Sequence, residues 1–476
     1  MKDKTCCQAS GRTRIGNGER MKERKSRQRE EESPKARRWE GIGVGELLNL
    51  VAMAKAAGVE KDRRVKSLLK AVRVLEDPEL ARYAREYINA LAVERALDDD
   101  PFAPAPEEEA WGEFVVGRVR GSGAPFGFRP EEICQHLFIP GRSGAGKTTF
   151  IKRLLKEVLK HAGEKDSDEG EEQPVPRILV FDIKRDYEEL KFGNERVWSF
   201  RLSRPEYRWN PLESPLKNWK QWAGIFAASF ANSCGFYGGQ STENFIYKVL
   251  CELYARYDPT RKKFPCMLDL LDYLRYQKVR AKPYKAEEYN WLVRTLNRVE
   301  SICNCLGETL NCSRGFSLSE VLKRDVIFDL AELKPDAQSF FAETFLIQAI
   351  WHRLEEDVRG GVLRNVVVFD EAKRLYPSFR EEVQRSVANT SNIIALAREF
   401  GLGLVLADCD PRLISHSIKS SSYARVCFNL THGADIRDCA HSLGLEREQA
   451  EEIMRLERGE AVVRLGGRID LSLIHI

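Results

Sequence analysis

Residues Gly141 to Thr148 read Gly-Arg-Ser-Gly-Ala-Gly-Lys-Thr, the G-x-x-x-x-G-K-[ST] spacing of a phosphate-binding loop. Glycines at 141, 144 and 146 let successive backbone N–H groups turn toward phosphate oxygens, and a helix N-terminus behind them favours negative charge. Lys147 would reach the β and γ phosphates, and the Thr148 hydroxyl would sit on Mg²⁺. Candidate nucleotide contacts therefore run through Gly141, Arg142, Ser143, Gly144, Ala145, Gly146, Lys147, Thr148 and Thr149. A second cluster, Asn-Val-Val-Val-Phe-Asp-Glu-Ala from Asn365 to Ala372, is an apolar run ending in two carboxylates. Asp370 there is suited to hold Mg²⁺ with Thr148, and Glu371 to polarise an attacking water. The two clusters imply ATP and Mg²⁺ as cofactors, with Lys147 and Glu371 as catalytic residues.

These residues need a scaffold, and the chain supplies one. Leu137 to Ile139 enters the loop as a strand would, and Thr149 to Leu159 leaves it with helical spacing of apolar residues. Further short apolar runs at Ile178 to Phe181, Val326 to Phe328, Val366 to Phe369, Gly403 to Ala407, Arg425 to Asn429 and Ala461 to Arg464 alternate with helical patterns. This predicts an α/β fold with a mostly parallel sheet covered on both faces. One or two strands are expected ahead of it, in the glycine-punctuated stretch from Trp111 to Phe128, and a long helical insertion at about 187–325. Residues 41–98 show helical periodicity and form a small helical unit. Residues 99–110, acidic and carrying Pro101, Pro104 and Pro106, read as a linker, leaving 111–476 as the nucleotide domain.

Net charge is +4, but residues 1–40 hold thirteen Lys or Arg against seven Asp or Glu, so that segment carries +6 and the remainder −2. With almost no large apolar residue before Trp39, it reads as a disordered basic tail. Met21 offers an alternative start. At the other end Leu471 to Ile476 is mostly apolar, an ending that reads as truncated or extraneous. The acidic run from Glu164 to Glu172 reads as a solvated loop. No stretch of about 18 apolar residues and no leader pattern is present, which places the protein in the cytoplasm by default. The twelve cysteines follow no disulfide framework, and Cys303, Cys305 and Cys312 lack the pairing of a metal site.

Asp182 to Tyr187 reads Asp-Ile-Lys-Arg-Asp-Tyr after the second strand, Trp209 to Leu212 reads Trp-Asn-Pro-Leu, and Arg398 to Gly401 reads Arg-Glu-Phe-Gly before another strand. With the Asp-Glu strand, with His136, and with Leu456 to Val463 (Leu-Glu-Arg-Gly-Glu-Ala-Val-Val), this order of motifs resembles the HerA and FtsK superfamily of P-loop ATPases. The nearest branches are the HerA-like helicases and the ATPases of conjugation and type IV secretion. The resemblance spans roughly residues 115–470. It implies a RecA-like P-loop fold and an ATP-driven DNA translocase or helicase, a hexameric homo-oligomer around double-stranded DNA without sequence preference. It also implies a nuclease or a secretion or conjugation partner.

In such a ring an arginine from the neighbouring subunit stabilises the transferring phosphoryl, an effect on the order of 10³ to 10⁵ in rate; Arg398 and Arg425 are the candidates. One position departs from the family. Where its members carry Ala-Thr-Gln and then Pro, this chain has Ala407, Asp408, Cys409, Asp410 and Pro411. A thiol cannot reproduce a glutamine's donor and acceptor pair, and Asp408 or Asp410 would add negative charge near phosphate. That substitution supports an alternative, a nucleotide-gated assembly factor with weak hydrolysis. Lys373 and Arg374, directly after the carboxylates, are candidate DNA contacts.

Overall fold

The computed structural model describes residues 44–60, 62–97, 101–102, 104–165, 174–191, 194–236, 240–258, 263–280, 286–379 and 387–476. The basic tail and most of the acidic run lie outside them. The chain divides into two compact units, Met1–Asp99 and Asp100–Ile476.

The first unit contains helices Val44–Ala56, Arg63–Leu75 and Pro78–Leu97. Asp62 starts the second of them: its carboxylate accepts the Arg64 and Val65 N–H groups at 2.7 and 2.9 Å, satisfying two donors the helix cannot. Leu50, Ala54, Val65, Val72, Ala84 and Ile88 close a separate core.

The second unit is built on an eleven-stranded sheet: β1 (Phe114–Val119), β2 (Pro125–Phe128), β3 (Leu137–Pro140), β4 (Arg177–Asp182), β5 (Val197–Arg201), β6 (Asp325–Asp329), β7 (Asn365–Asp370), β8 (Leu402–Asp408), β9 (Ala424–Phe428), β10 (Glu460–Leu465) and β11 (Ile469–His475). Their order across the sheet is β2-β1-β11-β10-β9-β3-β8-β7-β4-β6-β5. From β9 to β5 every pairing is parallel; from β9 through β10, β11 and β1 to β2 every pairing is antiparallel.

Both faces are buried, which is why the central strands are apolar throughout rather than alternating with polar residues. In β4, Leu179 and Phe181 join one core while Ile178 and Val180 join the other; Val367 and Phe369 of β7 separate from Val366 and Val368 in the same way. The first core is covered by the helical insertion, including Trp219–Ser233, Gln240–Tyr254, Met267–Arg280 and Ala286–Leu306. The second is covered by Lys147–Lys165.

Two features differ from expectation. Residues around the expected linker are packed: Phe102 is 2% exposed against Cys427, Leu430 and Ile453, and the Ala105 N–H donates to Ser472 Oγ at 3.2 Å. The apolar run at the end of the sequence is β11, an interior strand between β1 and β10. Its ladder partners, and burial of Leu473 and Ile474, account for its composition.

Candidate functional site

The phosphate loop leaves β3 at the crevice beside β8. Gly144 and Gly146 have φ of +77° and +122°, backbone that side-chain-bearing residues rarely adopt, and a Cβ on Gly141 would lie 2.5 Å from Phe428 Cβ. The loop is held from outside. Gly141 N–H donates to Asp408 O at 3.1 Å, Arg142 N–H to Asn429 O at 2.8 Å, and Gly459 N–H to Ala145 O at 2.9 Å. Asn429 is the bracket: its Oδ1 accepts Arg142 Nε at 2.6 Å, while its Nδ2 donates to Met454 and Leu456 carbonyls at 2.9 and 2.8 Å. The Leu-Glu-Arg-Gly segment thus acts through the backbone, securing the loop's shape. Ser143 and Thr149 are exposed.

Lys147, 8% exposed, donates to the carbonyls of Gly141 (2.5 Å) and Arg142 (3.0 Å), curling over the loop it serves. Burial pulls its ammonium below its ordinary pKa against the opposing field of Asp370, Cys409 and Asp408. The Thr148 hydroxyl donates to Asp370 Oδ2 at 3.1 Å, bringing together the two residues expected to share a metal. Tyr187 OH lies 3.4 Å from the same oxygen. Burial raises the Asp370 carboxyl, opposed by Lys184, Lys147 and Thr148. An oxygen-rich pair at this spacing suits Mg²⁺, a hard cation that takes one or two protein ligands and keeps the rest for phosphate and water.

Glu371 follows in left-handed backbone, φ 73°. Its Oε1 pairs with Lys184 and its Oε2 accepts Arg374 Nε at 3.0 Å. Burial alone would raise this carboxyl, but Lys184 and Arg374 outweigh it and hold it below the ordinary glutamate value. Lys184 comes from the Asp-Ile-Lys-Arg-Asp-Tyr segment, whose shape is set by Asp182. That buried carboxylate accepts the N–H groups of Lys184 and Asp186 at 3.1 Å and of Tyr187 at 2.9 Å, turning the chain sharply after β4. Lys184, Tyr187 and Arg374 are therefore site residues that a reading limited to the loop and the Asp-Glu pair omits. The signal for Lys184 and Tyr187 was the Asp-x-Lys-x-Asp-Tyr spacing itself, and that for Arg374 its place three residues after Glu371.

At the end of β8, Asp408 accepts the N–H groups of Lys373 and Asp410, each at 2.8 Å. Lys373 Nζ pairs with Asp410, lies 3.5 Å from Asp408 Oδ1 and donates to Cys409 Sγ at 3.4 Å. The acidic pair that would oppose phosphate is thus accompanied by a lysine. Lys373 and Arg374 are both committed to carboxylates within this site, and Arg374 also donates to Gln338.

Other expected residues lie elsewhere. Arg398 is exposed near the end of helix Val387–Glu399, just ahead of β8, and so lies at the amino ends of the strands, opposite the phosphate loop. Arg425, second in β9, donates from Nε and Nη2 to Lys419 O at 3.3 and 3.0 Å. Asn210 is a structural bracket: it donates to the Pro265 and Ser313 carbonyls, both at 2.9 Å, and caps Leu212 N–H at 2.9 Å. His136 is buried, with φ 72°; its Nδ1 accepts Leu404 N–H at 3.0 Å, so Nε2 carries the proton that meets Ile394 O at 2.9 Å.

Residues 114–228 match the family described as "Helicase HerA, central domain". The fold is an α/β P-loop ATPase fold, shared with VirB4 and TrwB. Among solved structures, the chain is similar to VirB4 of Thermoanaerobacter pseudethanolicus, with 17% identity and a TM-score of 0.53 over 77% of this chain and 96% of that one. The bacterial conjugative coupling protein TrwBdeltaN70, in its trigonal form with sulphate, gives 15% identity and a TM-score of 0.55 over 79% and 95%. The plasmid coupling protein TrwB in complex with ADP and Mg²⁺ gives 15% and 0.51 over 79% and 96%. A comparison with curated proteins finds no match. The HerA-type segment carries β1 to β5, and hence the phosphate loop and the Asp182 turn; β7 and β8, with Asp370, Glu371 and Asp408, lie beyond it.

Proposed function

We propose that this protein is a Mg²⁺-dependent ATPase that works as a ring-forming motor on DNA, in the manner of the HerA and FtsK ATPases. The observation that carries the reading is the junction of β3 and β7: Thr148 Oγ1 bonded to Asp370, with Lys147 buried beside them and Glu371 next in the chain. Lys147 and the loop N–H groups bind and orient the triphosphate. Thr148 and Asp370 would hold Mg²⁺, which when bound would supply positive charge against the phosphates. Glu371 accepts a proton from the water that attacks the γ phosphorus as the bond to the β-phosphate oxygen breaks, giving ADP and phosphate. Both of its oxygens are engaged by Lys184 and Arg374, so one partner must move aside for that proton. Lys184, on a flexible stem and half exposed, is the one able to do so. Lys373 beside Asp408 and Asp410 favours turnover over the gated-assembly alternative, because it balances negative charge that would oppose the charge developing on the transferring phosphoryl.

Purified full-length protein should hydrolyse ATP, and double-stranded DNA should raise the rate several-fold. Glu371→Gln should lower turnover by about 100-fold or more while ATP still binds. Tight ATP binding with no turnover, with or without DNA, would refute the motor and restore the gated ring.

A second reading, a coupling ATPase of a conjugation or secretion apparatus, is favoured by likeness to TrwB, which takes in 90% to 96% of those chains. Among the described residues no helix is long and apolar enough to cross a membrane. Co-purification with a membrane-embedded secretion component would support coupling, and co-purification with a nuclease would support DNA-end processing.

A further inference from the structure

We propose that the cleft at the amino-terminal ends of β4, β6 and β7 is a second anion site, one that takes phosphate oxyanions and is distinct from the phosphate loop. It is a cavity of about 420 Å³ within the second unit, and Arg177, Lys323, Arg353 and Arg364 converge on it from four separate stretches of chain. That volume falls in the range of ligand pockets, about 300–1,000 Å³. Arg177 is the first residue of β4, Lys323 stands two residues before β6, and Arg364 immediately precedes β7. The phosphate loop follows the opposite, carboxyl-terminal end of β3, so the two sites are separated by the length of the strands, roughly 15–20 Å at ~3.3 Å per residue.

Among the described residues the charge in this cleft is incompletely balanced. Arg177 has Asp325, at 3.5 Å. Arg353, 5% exposed, spends its donors on neutral acceptors, the Phe400 carbonyl and the Asn365 side chain. Lys323 and Arg364 make no ion pair and no side-chain hydrogen bond among the described residues. Among the described residues of the wall the one carboxylate, Glu356, already faces His352 at 3.3 Å. Burial first, and the neighbouring Arg364 second, pull Arg353 down to about 10. A buried guanidinium crowded by a second is stabilised by an anion that touches both. Forked guanidinium donors beside a point-charge lysine suit a tetrahedral, multiply charged oxyanion better than a single carboxylate. The same chemistry is offered by a free polyphosphate and by the phosphodiesters of a nucleic acid.

The test uses full-length protein carrying Lys147→Ala, so that the phosphate loop contributes little, with and without Lys323→Ala/Arg364→Ala. Two probes are titrated, inorganic pyrophosphate by calorimetry and a short fluorescein-labelled DNA duplex by anisotropy over a salt series. The pair should weaken pyrophosphate about tenfold or more, or flatten the duplex's log K against log salt by about 2, the slope of two phosphate contacts, or both. A change with pyrophosphate alone assigns the site to free polyphosphate; a change with duplex, alone or together with pyrophosphate, assigns it to nucleic-acid phosphate. No change with either probe, in protein whose thermal melt matches the parent, overturns the proposal. If the pair does not fold, Lys323→Glu, at an exposed position, decides by the same readouts. With Lys147 retained, DNA-free ATP turnover of the Lys323→Ala/Arg364→Ala protein should equal that of the unsubstituted chain.

Discussion

Glu371 sits in backbone that few residues other than glycine adopt, with a cation on each carboxylate oxygen. Left-handed backbone at a non-glycine residue persists only where its surroundings over-determine it, and here β7, the Ala407 carbonyl (2.9 Å from Glu371 N) and Arg374 do so. Because Lys184 holds the carboxyl low, Lys184→Ala should raise its pKa and move the acid limb of the kcat/KM profile to higher pH, with the alkaline limb unchanged. An acid limb that stays in place would separate Lys184 from the general base. Lys373 makes a second case. Its loss leaves Asp408 and Asp410 uncompensated beside the loop, and ATP affinity of Lys373→Ala should fall on the order of tenfold. Lys373→Ala/Asp410→Asn should recover most of it. Equal affinity in Lys373→Ala and the parent would show that the pair does not reach the phosphates.

At the scale of elements, His136 joins β3 to β8 and to the helix ahead of it. Burial first, against the bond to Ile394, lowers its pKa from 6.5 to about 4. The folded state therefore binds its proton less readily than the unfolded chain. Stability from this group is fully present above pH 6.5, falls as the pH drops from 6.5 toward 4, and is level below that; the loss is on the order of 3 kcal/mol. His136→Gln should be less stable than the parent at pH 8, and the gap should narrow at pH 5; a gap that is constant with pH would refute this account. The strands around the site were legible because buried parallel strands are runs of Val, Ile, Leu and Phe, as at Val366 to Phe369, and the loop because its glycines and lysine are fixed by phosphate geometry. β5 was not, since five residues reading Val-Trp-Ser-Phe-Arg carry little pattern inside a helical stretch. β11 was not legible as a strand, because in Leu471 to Ile476 the apolar and uncharged composition is plain while the ladder partners that make it an interior strand lie far off in sequence. The roles of Lys184 and Arg374 escaped because the Lys184–Glu371 pair, across the ends of β4 and β7, and the Arg374–Gln338 bond are products of the fold. Phe102 is a further consequence of packing that proline content concealed. A chain truncated to begin at 111 loses it and should melt below one that begins at 100, with Phe102→Ala alone costing about 3 kcal/mol or more; equal melting would show that the segment is a tether after all.

At the scale of the whole molecule, among the described residues the site as folded has no arginine free to meet the γ-phosphate: Arg374 is bound to Glu371 and Gln338, and Arg142 to Asn429. Arg398 and Arg425 both lie toward the amino ends of the strands, too far round the sheet to serve their own loop, so either can act only on another copy. Their environments separate them. Arg425 is half-buried and spends two donors on Lys419 O, a fixed structural duty, whereas Arg398 is exposed and its side chain has no ion pair or hydrogen bond among the described residues. Arg425→Ala should therefore lower the melting temperature more than it lowers turnover, and Arg398→Ala should do the reverse, cutting the rate on the order of 10³-fold. Mixing supplies the decisive form. Arg398→Ala and Lys147→Ala proteins, each inactive alone, should regain activity when combined, because about a quarter of the interfaces in a randomly mixed ring join an intact loop to an intact arginine. A mixture as inactive as its components would place the stabilising charge within the subunit, and with it would fall the argument that this ATPase must assemble in order to work.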